Sequence, residues 1–366
     1  MRPSATARST ARLLAALTTT VALLAGVLSC SGKPRAESDA RQAESDTRRV
    51  ESNDVEPASG HAHPDRQRFT SMAMGVVVEI TVDDDDPARA RRAARAAQEE
   101  LERLDWVLSD WKERSELTLL NRSAEAARDA SEDLRAVLTR ALEIADATDG
   151  RFDPTVGPLV ALWRQTRRAG GFAPPAAQEA ALSAARARVG FAKVSVAGGQ
   201  VVRRSKGVEI DFGGIGKGYG AVRALEVLRE HGCPRALVAV AGDIAAGDPP
   251  RGERGWVVRI DGERAGDESI VCANESVSTS GASVQWIEID GTRYAHIVDP
   301  RSGLGATDLA QVTVVGPLDC AVDALSTALS LCGGHADGAD EIARILRRFP
   351  GYRARVEHAG VARWLP

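Results

Sequence analysis

Hydrophobic and polar positions follow more than one rhythm along this chain. Val76-Val-Val-Glu-Ile-Thr-Val82 is β-branched and partly alternating, the pattern of a strand. From Pro87 to about Leu108, apolar Ala94, Ala97, Leu101, Leu104 and Trp106 mark a long amphipathic helix, and a proline suits the first turn of such a helix. The acidic run Asp83–Asp86 before it reads as a turn and helix start rather than a metal site. Helical patterns return at roughly Ser131–Thr148, with Ser131 placed to cap it, and at Ala176–Val189. Strand-like runs follow at 236–241, 256–260, 269–277, 284–289 and 309–315, and helical ones at about 319–332 and 338–348. Strands and helices mix without steady alternation. This order predicts an α+β fold, a single large mixed α/β domain, rather than a doubly wound sheet.

The N-terminus has a different logic. Arg2, Arg8 and Arg12 precede an apolar run from Leu13 to Leu28, and Ser29-Cys30 closes it, the layout of an export signal. Val27-Leu28-Ser29-Cys30 resembles a bacterial lipobox, in which the cysteine becomes the lipidated first residue, although Leu28 is bulkier than usual there. The alternatives are cleavage to a soluble periplasmic protein and an uncleaved anchor. Residues 31 to about 66 are rich in Ser, Glu, Asp, Arg and Ala and cannot bury a core, so they read as a disordered tether. The expected layout is a signal peptide at 1–29, a flexible tether at 30–66 and a catalytic domain at 67–366. The protein is expected to be exported and held by a lipid on Cys30 on the periplasmic side of a membrane.

The formal charge of −4 and the low aromatic content of 4% argue against a nucleic-acid partner. Beyond Cys30 the chain has Cys233, Cys272, Cys320 and Cys332, with no Cys-x-x-Cys among them. A zinc site is not indicated, and one disulfide is open in an oxidising compartment.

The chemistry concentrates in Val208-Glu-Ile-Asp-Phe-Gly-Gly-Ile-Gly-Lys-Gly-Tyr-Gly220. Five glycines, Asp211 and Lys217 fall within residues 211–220, after a strand-like Val-Glu-Ile and before a helix-like run from Ala221. Such a loop lets backbone groups approach a ligand, and the lysine favours a phosphate or pyrophosphate. The run fits neither the P-loop nor the dinucleotide fingerprint. A glycine-rich turn with a solvated lysine is the other reading.

Asp323-Ala-Leu-Ser-Thr327 lies on a predicted helix, and its end residues share one face. A carboxylate and a hydroxyl there suit a hard cation such as Mg²⁺; a helix-start Asp with a Thr bonding its own backbone is the alternative. His296-Ile-Val-Asp-Pro-Arg-Ser-Gly303 follows a strand-like segment and ends in turn chemistry, so the histidine serves either acid/base work or the loop itself. Thr279-Ser-Gly281 is a small polar loop, and Gly150-Arg-Phe-Asp-Pro-Thr-Val-Gly157 has Asp-Pro turn chemistry before a short helix from Pro158.

Taken together and in order, these segments resemble the FAD:protein FMN transferase (ApbE) family over roughly residues 70 to 335. Met74-Gly75 and Ser109-Asp-Trp-Lys-Glu-Arg-Ser-Glu-Leu117 with Asn121 join the segments quoted above. The resemblance implies an ApbE-type fold in which Met74, Trp111, Phe152, Asp153, Pro154, Asp211, Lys217 and Ile297 hold FAD. It implies Mg²⁺ on the Gly214 carbonyl, Asp323 and Thr327, with Ser326 assisting, and an active-site role for His296 alongside Asp323. Family members use FAD as a substrate, transferring FMN to a threonine of a partner flavoprotein and releasing AMP. The implied acceptors are Rnf-type or sodium-pumping quinone reductase subunits and other exported flavoproteins. Two departures stand out: Ala241 replaces the first of two glycines before Asp243, and Ala282-Ser-Val-Gln-Trp286 stands where the family's usual aromatic and basic residues follow Gly281. The competing readings are an FAD pyrophosphatase giving FMN and AMP, and a non-catalytic FAD-binding lipoprotein.

Overall fold

The structure is a computed structural model and describes residues 66–260, 268–281, 286–333 and 338–366. The signal peptide, the tether and Cys30 lie outside the described residues. A hairpin of β1 (Arg66–Ala73) and β2 (Val76–Asp83) leads into α1 (Pro87–Leu108), α2 (Glu116–Arg122), β3 (Ala127–Asp129) and α3 (Glu132–Ala147). Next come α4 (Gly157–Ala169), α5 (Pro175–Arg186), β4 (Val194–Ala197), β5 (Gln200–Arg203) and α6 (Gly216–Glu230). Strands β6 (Ala236–Val240), β7 (Asp243–Ala246), β8 (Trp256–Arg259), β9 (Ser269–Cys272) and β10 (Glu275–Ser280) follow. The chain continues through β11 (Trp286–Ile289), β12 (Thr292–Ala295), β13 (Gln311–Pro317), α7 (Ala321–Gly333) and α8 (Gly338–Leu346), and ends in β14 (Arg353–His358) and β15 (Val361–Leu365).

Eight strands form one antiparallel sheet in the order β1-β2-β6-β7-β10-β13-β14-β15. The α+β expectation holds. The centre of this sheet is buried on both faces. Along β6, Ala236, Val238 and Val240 join the core shared with α1 and α6, while Leu237 and Ala239 turn to Trp256 and Val258 of β8, as the two-residue side-chain period requires. Helix α1 presents Ala90, Ala93, Ala94, Ala97 and Leu101 to the first core, whereas Trp106, expected with the apolar set, is exposed with the Lys112 ammonium over its ring. Its alanines allow close approach, and burying Leu101 contributes about 2 kcal/mol. Helix α7 carries Leu325, Ala328 and Leu329 into a second core with Val312 and Val314 of β13.

The aspartates at 83–86 behave as turn and helix-start residues. Asp86 caps α1 by accepting from the Ala88 N–H at 2.8 Å, Asp84 takes Arg89, and buried Asp83 holds Arg251 at 2.9 Å. Ser131 caps α3 through the Leu134 N–H at 3.3 Å. The expected strand at 269–277 is broken into β9 and β10 at Asn274, whose φ is 57°. Cys233, Cys272, Cys320 and Cys332 are buried free thiols, so no disulfide joins them. Among the described residues no helix is long and apolar enough to cross a membrane.

Candidate active site

Two neighbouring chain segments build one wall. Asn121 brackets the Ile210 backbone, donating to its carbonyl and accepting from its N–H, each at 2.8 Å. The Asp211 N–H donates to the Pro154 carbonyl at 2.8 Å, and Val156 pairs with Glu209 as an isolated parallel bridge. The strand expected at Val208–Ile210 is only this bridge. The Asp-Pro loop thus lies along the segment that enters α6. Within the loop, the Asp153 carboxylate accepts from the Thr155 N–H at 2.7 Å, the Thr155 hydroxyl at 2.6 Å and the Phe191 N–H at 3.0 Å. Burial raises its pKa against those hydrogen bonds. Its side chain shapes the loop, while Pro154 is buried beside it. The Phe152 ring lies against Gly214, 3.4 Å from where a Cβ would stand.

Helix α6 begins at Gly216, earlier than the sequence pattern predicts, so Lys217 sits in its first turn and not in a loop. The glycines there serve packing. A Cβ on Gly218 would meet the Asp323 Cβ at 2.9 Å, and one on Gly220 would meet the Met74 sulfur at 2.8 Å. Their absence lets α7 and the β1–β2 turn press onto α6.

At this junction three charges meet. The Lys217 ammonium lies 3.0 Å from Asp243 Oδ2 and 3.4 Å from Asp323 Oδ2, and 3.3 Å from the Gly213 carbonyl. Asp323 Oδ2 also accepts from the Gly218 N–H at 3.1 Å. Burial and the neighbouring Asp243 push the Asp323 pKa up, against Lys217 and the Gly218 N–H. Burial disfavours the Lys217 charge, but Asp243 and Asp323 outweigh it and raise its pKa.

The oxygen donors fit a hard divalent cation. Among the described residues the hydrogen bonds to Asp323 fall on Oδ2, leaving Oδ1 available. Thr327 stands one turn further along α7, and its Oγ1 is 3.3 Å from a Cβ position on Gly214, which brings the Gly214 backbone to the same spot. One carboxylate, one hydroxyl and one carbonyl are the kind of sparse oxygen set that Mg²⁺ completes with water and phosphate. Ser326 faces the sheet instead, 3.0 Å from Ser278 and 2.8 Å from Ser280. Ser280 lies 3.4 Å from Thr327, and Thr279 and Ser280 belong to the end of β10 rather than to a loop.

Met74, Trp111 and Asp211 are further expected FAD contacts. Met74 turns the β1–β2 hairpin with φ of 54°, its N–H donating to Asp105 at 3.2 Å. Trp111, 58% exposed, lies 3.8 Å from a Cβ position on Gly75, with the Lys112 ammonium 5.5 Å from its ring. Asp211 is buried. Its own loop caps it through the Gly213 N–H at 2.7 Å, and Arg164 stands 3.9 Å away. Burial and Asp110 raise its pKa.

His296 and Ile297 follow β12 on a separate loop, with His296 exposed. That loop is fastened to α4 by the Trp163 indole N–H donating to the Ala295 carbonyl at 3.1 Å. The Ala306 N–H donates to the Ile297 carbonyl at 2.9 Å. Beside the loop, a cavity of about 930 Å³ lies between Arg151, Arg301, Glu341 and Arg344. None of the residues around Asp323 lines it.

Sequence reasoning gave no role to Asp243, Ser278 or Ser280. The signal for the serines was present: Ser278 and Ser280 alternate on one face of Glu-Ser-Val-Ser-Thr-Ser, a row of hydroxyls along one side of the strand.

The family model for the ApbE family matches residues 74–351. Over 295 residues the chain is 31% identical to a Salmonella typhimurium protein named FAD:protein FMN transferase, covering 76% of this chain and 82% of that one. A Treponema pallidum protein of the same name is 30% identical over 355 residues, covering 91% and 88%. The crystal structure of the ApbE protein from Thermotoga maritima matches with a TM-score of 0.72 at 28% identity, over 82% of this chain and 97% of that one. The matched segment runs from Met74 past Thr327 and so spans the whole junction of α6 and α7; the chain belongs to the ApbE family.

Proposed function

We propose that the chain transfers FMN from FAD to a threonine hydroxyl of a partner flavoprotein, with Mg²⁺ at Asp323 and AMP as the leaving product. One observation carries this reading: Gly214, Lys217, Asp323 and Thr327 converge at the α6–α7 junction, in a chain whose relatives are named for that transfer. Asp323, Thr327 and the Gly214 carbonyl would hold the metal. When bound, Mg²⁺ supplies charge neutralisation on the phosphates.

The chain's own groups supply the rest. Lys217 brings an ammonium to the pyrophosphate. Trp111 and the Phe152 edge offer apolar surface to a flavin or adenine ring. The threonine oxygen forms the new bond to the FMN phosphorus as the bond to the AMP oxygen breaks. The threonine proton passes to His296 or to a carboxylate of the site. The basic and apolar N-terminus ending at Cys30 supports an exported, lipid-anchored protein facing the periplasm. Acceptors would then be exported flavoproteins, Rnf-type or sodium-pumping quinone reductase subunits among them.

The test is AMP release from FAD with and without Mg²⁺ and acceptor. The wild-type chain is expected to need both, and Asp323→Ala to release none. Full AMP release by Asp323→Ala would sink the assignment.

A further inference from the structure

The buried charges at the α6–α7 junction do not balance, and the imbalance runs through Asp243, which is outside the expected metal donor set. Asp243 opens β7 directly after a turn in which Ala241 has φ of 52°, and it is 3% exposed. Both carboxylate oxygens are engaged. Oδ2 holds the Lys217 ammonium at 3.0 Å, and Oδ1 accepts from the Ser278 hydroxyl at 2.6 Å. Asp243 and Asp323 therefore share a single lysine, which leaves one negative charge over.

Without the Asp243 charge, Lys217 and Asp323 would form a one-to-one pair. The junction would then offer a divalent cation no net attraction. With it, the ammonium is drawn toward Asp243, 3.0 Å against 3.4 Å, and Asp323 stays under-compensated.

The Oδ1 side sets the direction of a chain of hydroxyls. A carboxylate only accepts, so the Ser278 proton points to Asp243. Ser326 then donates to Ser278 at 3.0 Å or to the Asp323 carbonyl at 2.9 Å. In either case Ser280, 2.8 Å away, donates to Ser326. Thr327, 3.4 Å from Ser280, has its proton directed to Ser280 and its lone pairs left for the space beside Gly214.

We infer that Asp243 is a positioning residue for the cation site: one oxygen keeps Lys217 from neutralising Asp323, and the other orients the serine chain so that Thr327 offers lone pairs. This rests on the Mg²⁺ reading above.

The test uses the full chain without FAD and titrates Mn²⁺ alone, following the paramagnetic resonance signal of the free ion. Asp243→Asn is expected to weaken Mn²⁺ binding by about tenfold, the scale for partners that orient metal ligands. Adding Lys217→Met should restore most of it, because Asp323 again carries one uncompensated charge. A merely structural role for Asp243 would show no such rescue. Wild-type affinity in Asp243→Asn, or a loss that Lys217→Met leaves undiminished, would overturn the inference alone. Should Asp243→Asn fail to fold by circular dichroism, Ser278→Ala decides: weaker Mn²⁺ binding supports the inference and unchanged binding overturns it. A wild-type chain that binds no Mn²⁺ would overturn the magnesium reading as well.

Discussion

Gly218 and Asp323 touch across the α6–α7 interface: the Gly218 N–H donates to Asp323 Oδ2 at 3.1 Å, and a Cβ on Gly218 would stand 2.9 Å from the Asp323 Cβ. The glycine fixes where the Asp323 carboxylate can be. Gly218→Ala is expected to push α7 away, costing about 1–3 kcal/mol of stability as overpacking does. It should also lower Mg²⁺-dependent transfer. Denaturant unfolding and AMP release measured on the same variant check both, and transfer at the wild-type level would separate the contact from catalysis.

Lys217→Met leaves Asp243 and Asp323 without their shared cation at the proposed pyrophosphate site. FAD affinity is expected to fall by about tenfold, equivalent to ~1.4 kcal/mol. Quenching of flavin fluorescence gives the dissociation constant, and an unchanged value counts against the role assigned to this lysine.

Trp111 and Phe152 make a contrast within one site. Trp111 is 58% exposed and Phe152 is 6% exposed. Trp111→Ala should weaken FAD binding by about 1 kcal/mol, the scale of an aromatic stacking contact, with no change in melting temperature. Phe152→Ala should destabilise the fold by ~3 kcal/mol through the cavity it leaves. Melting curves with and without FAD distinguish the two.

Much of the fold was legible where one face of an element is apolar. The Ala94–Ala97–Leu101–Leu104 spacing predicts α1, and the Ser131 cap marks α3. Edge strands were not legible. Arg66-Gln-Arg-Phe-Thr-Ser-Met-Ala73 reads as polar because β1 lies at the sheet edge, part-exposed along most of its length. In β14, Arg355 and Glu357 look like solvent residues but are buried against each other at 2.9 Å. In the site, the residue types within each ordered segment were readable. The α6 start at Gly216 was not, because it depends on packing against Asp323 and Met74. Asp243 and Lys217 meet only through the sheet, and no local pattern announces a contact between residues on β7 and α6.

Asp319, before α7, gives a pH signature apart from the proposed cation site. Burial disfavours its charge, but hydrogen bonds from Arg140 at 2.6 Å and Tyr352 at 2.8 Å outweigh this and lower its pKa below 3.8. A depressed carboxylate pKa stabilises the fold above about pH 4 and is lost as pH falls through the folded-state value. Asp319→Asn is therefore expected to cost roughly 1–3 kcal/mol at neutral pH and to flatten the acid side of the stability curve. Urea unfolding at a series of pH values below 5 reads the slope, and parallel curves for variant and wild type would remove Asp319 from the account.

The Asp323 site is proposed to move FMN onto protein. Incubating the chain with FAD, Mg²⁺ and an exported flavoprotein acceptor, then separating the mixture on a denaturing gel, reads this through flavin fluorescence. A fluorescent acceptor band that requires Mg²⁺ and disappears with Asp323→Ala is expected. Free FMN and AMP with no fluorescent band would contradict it.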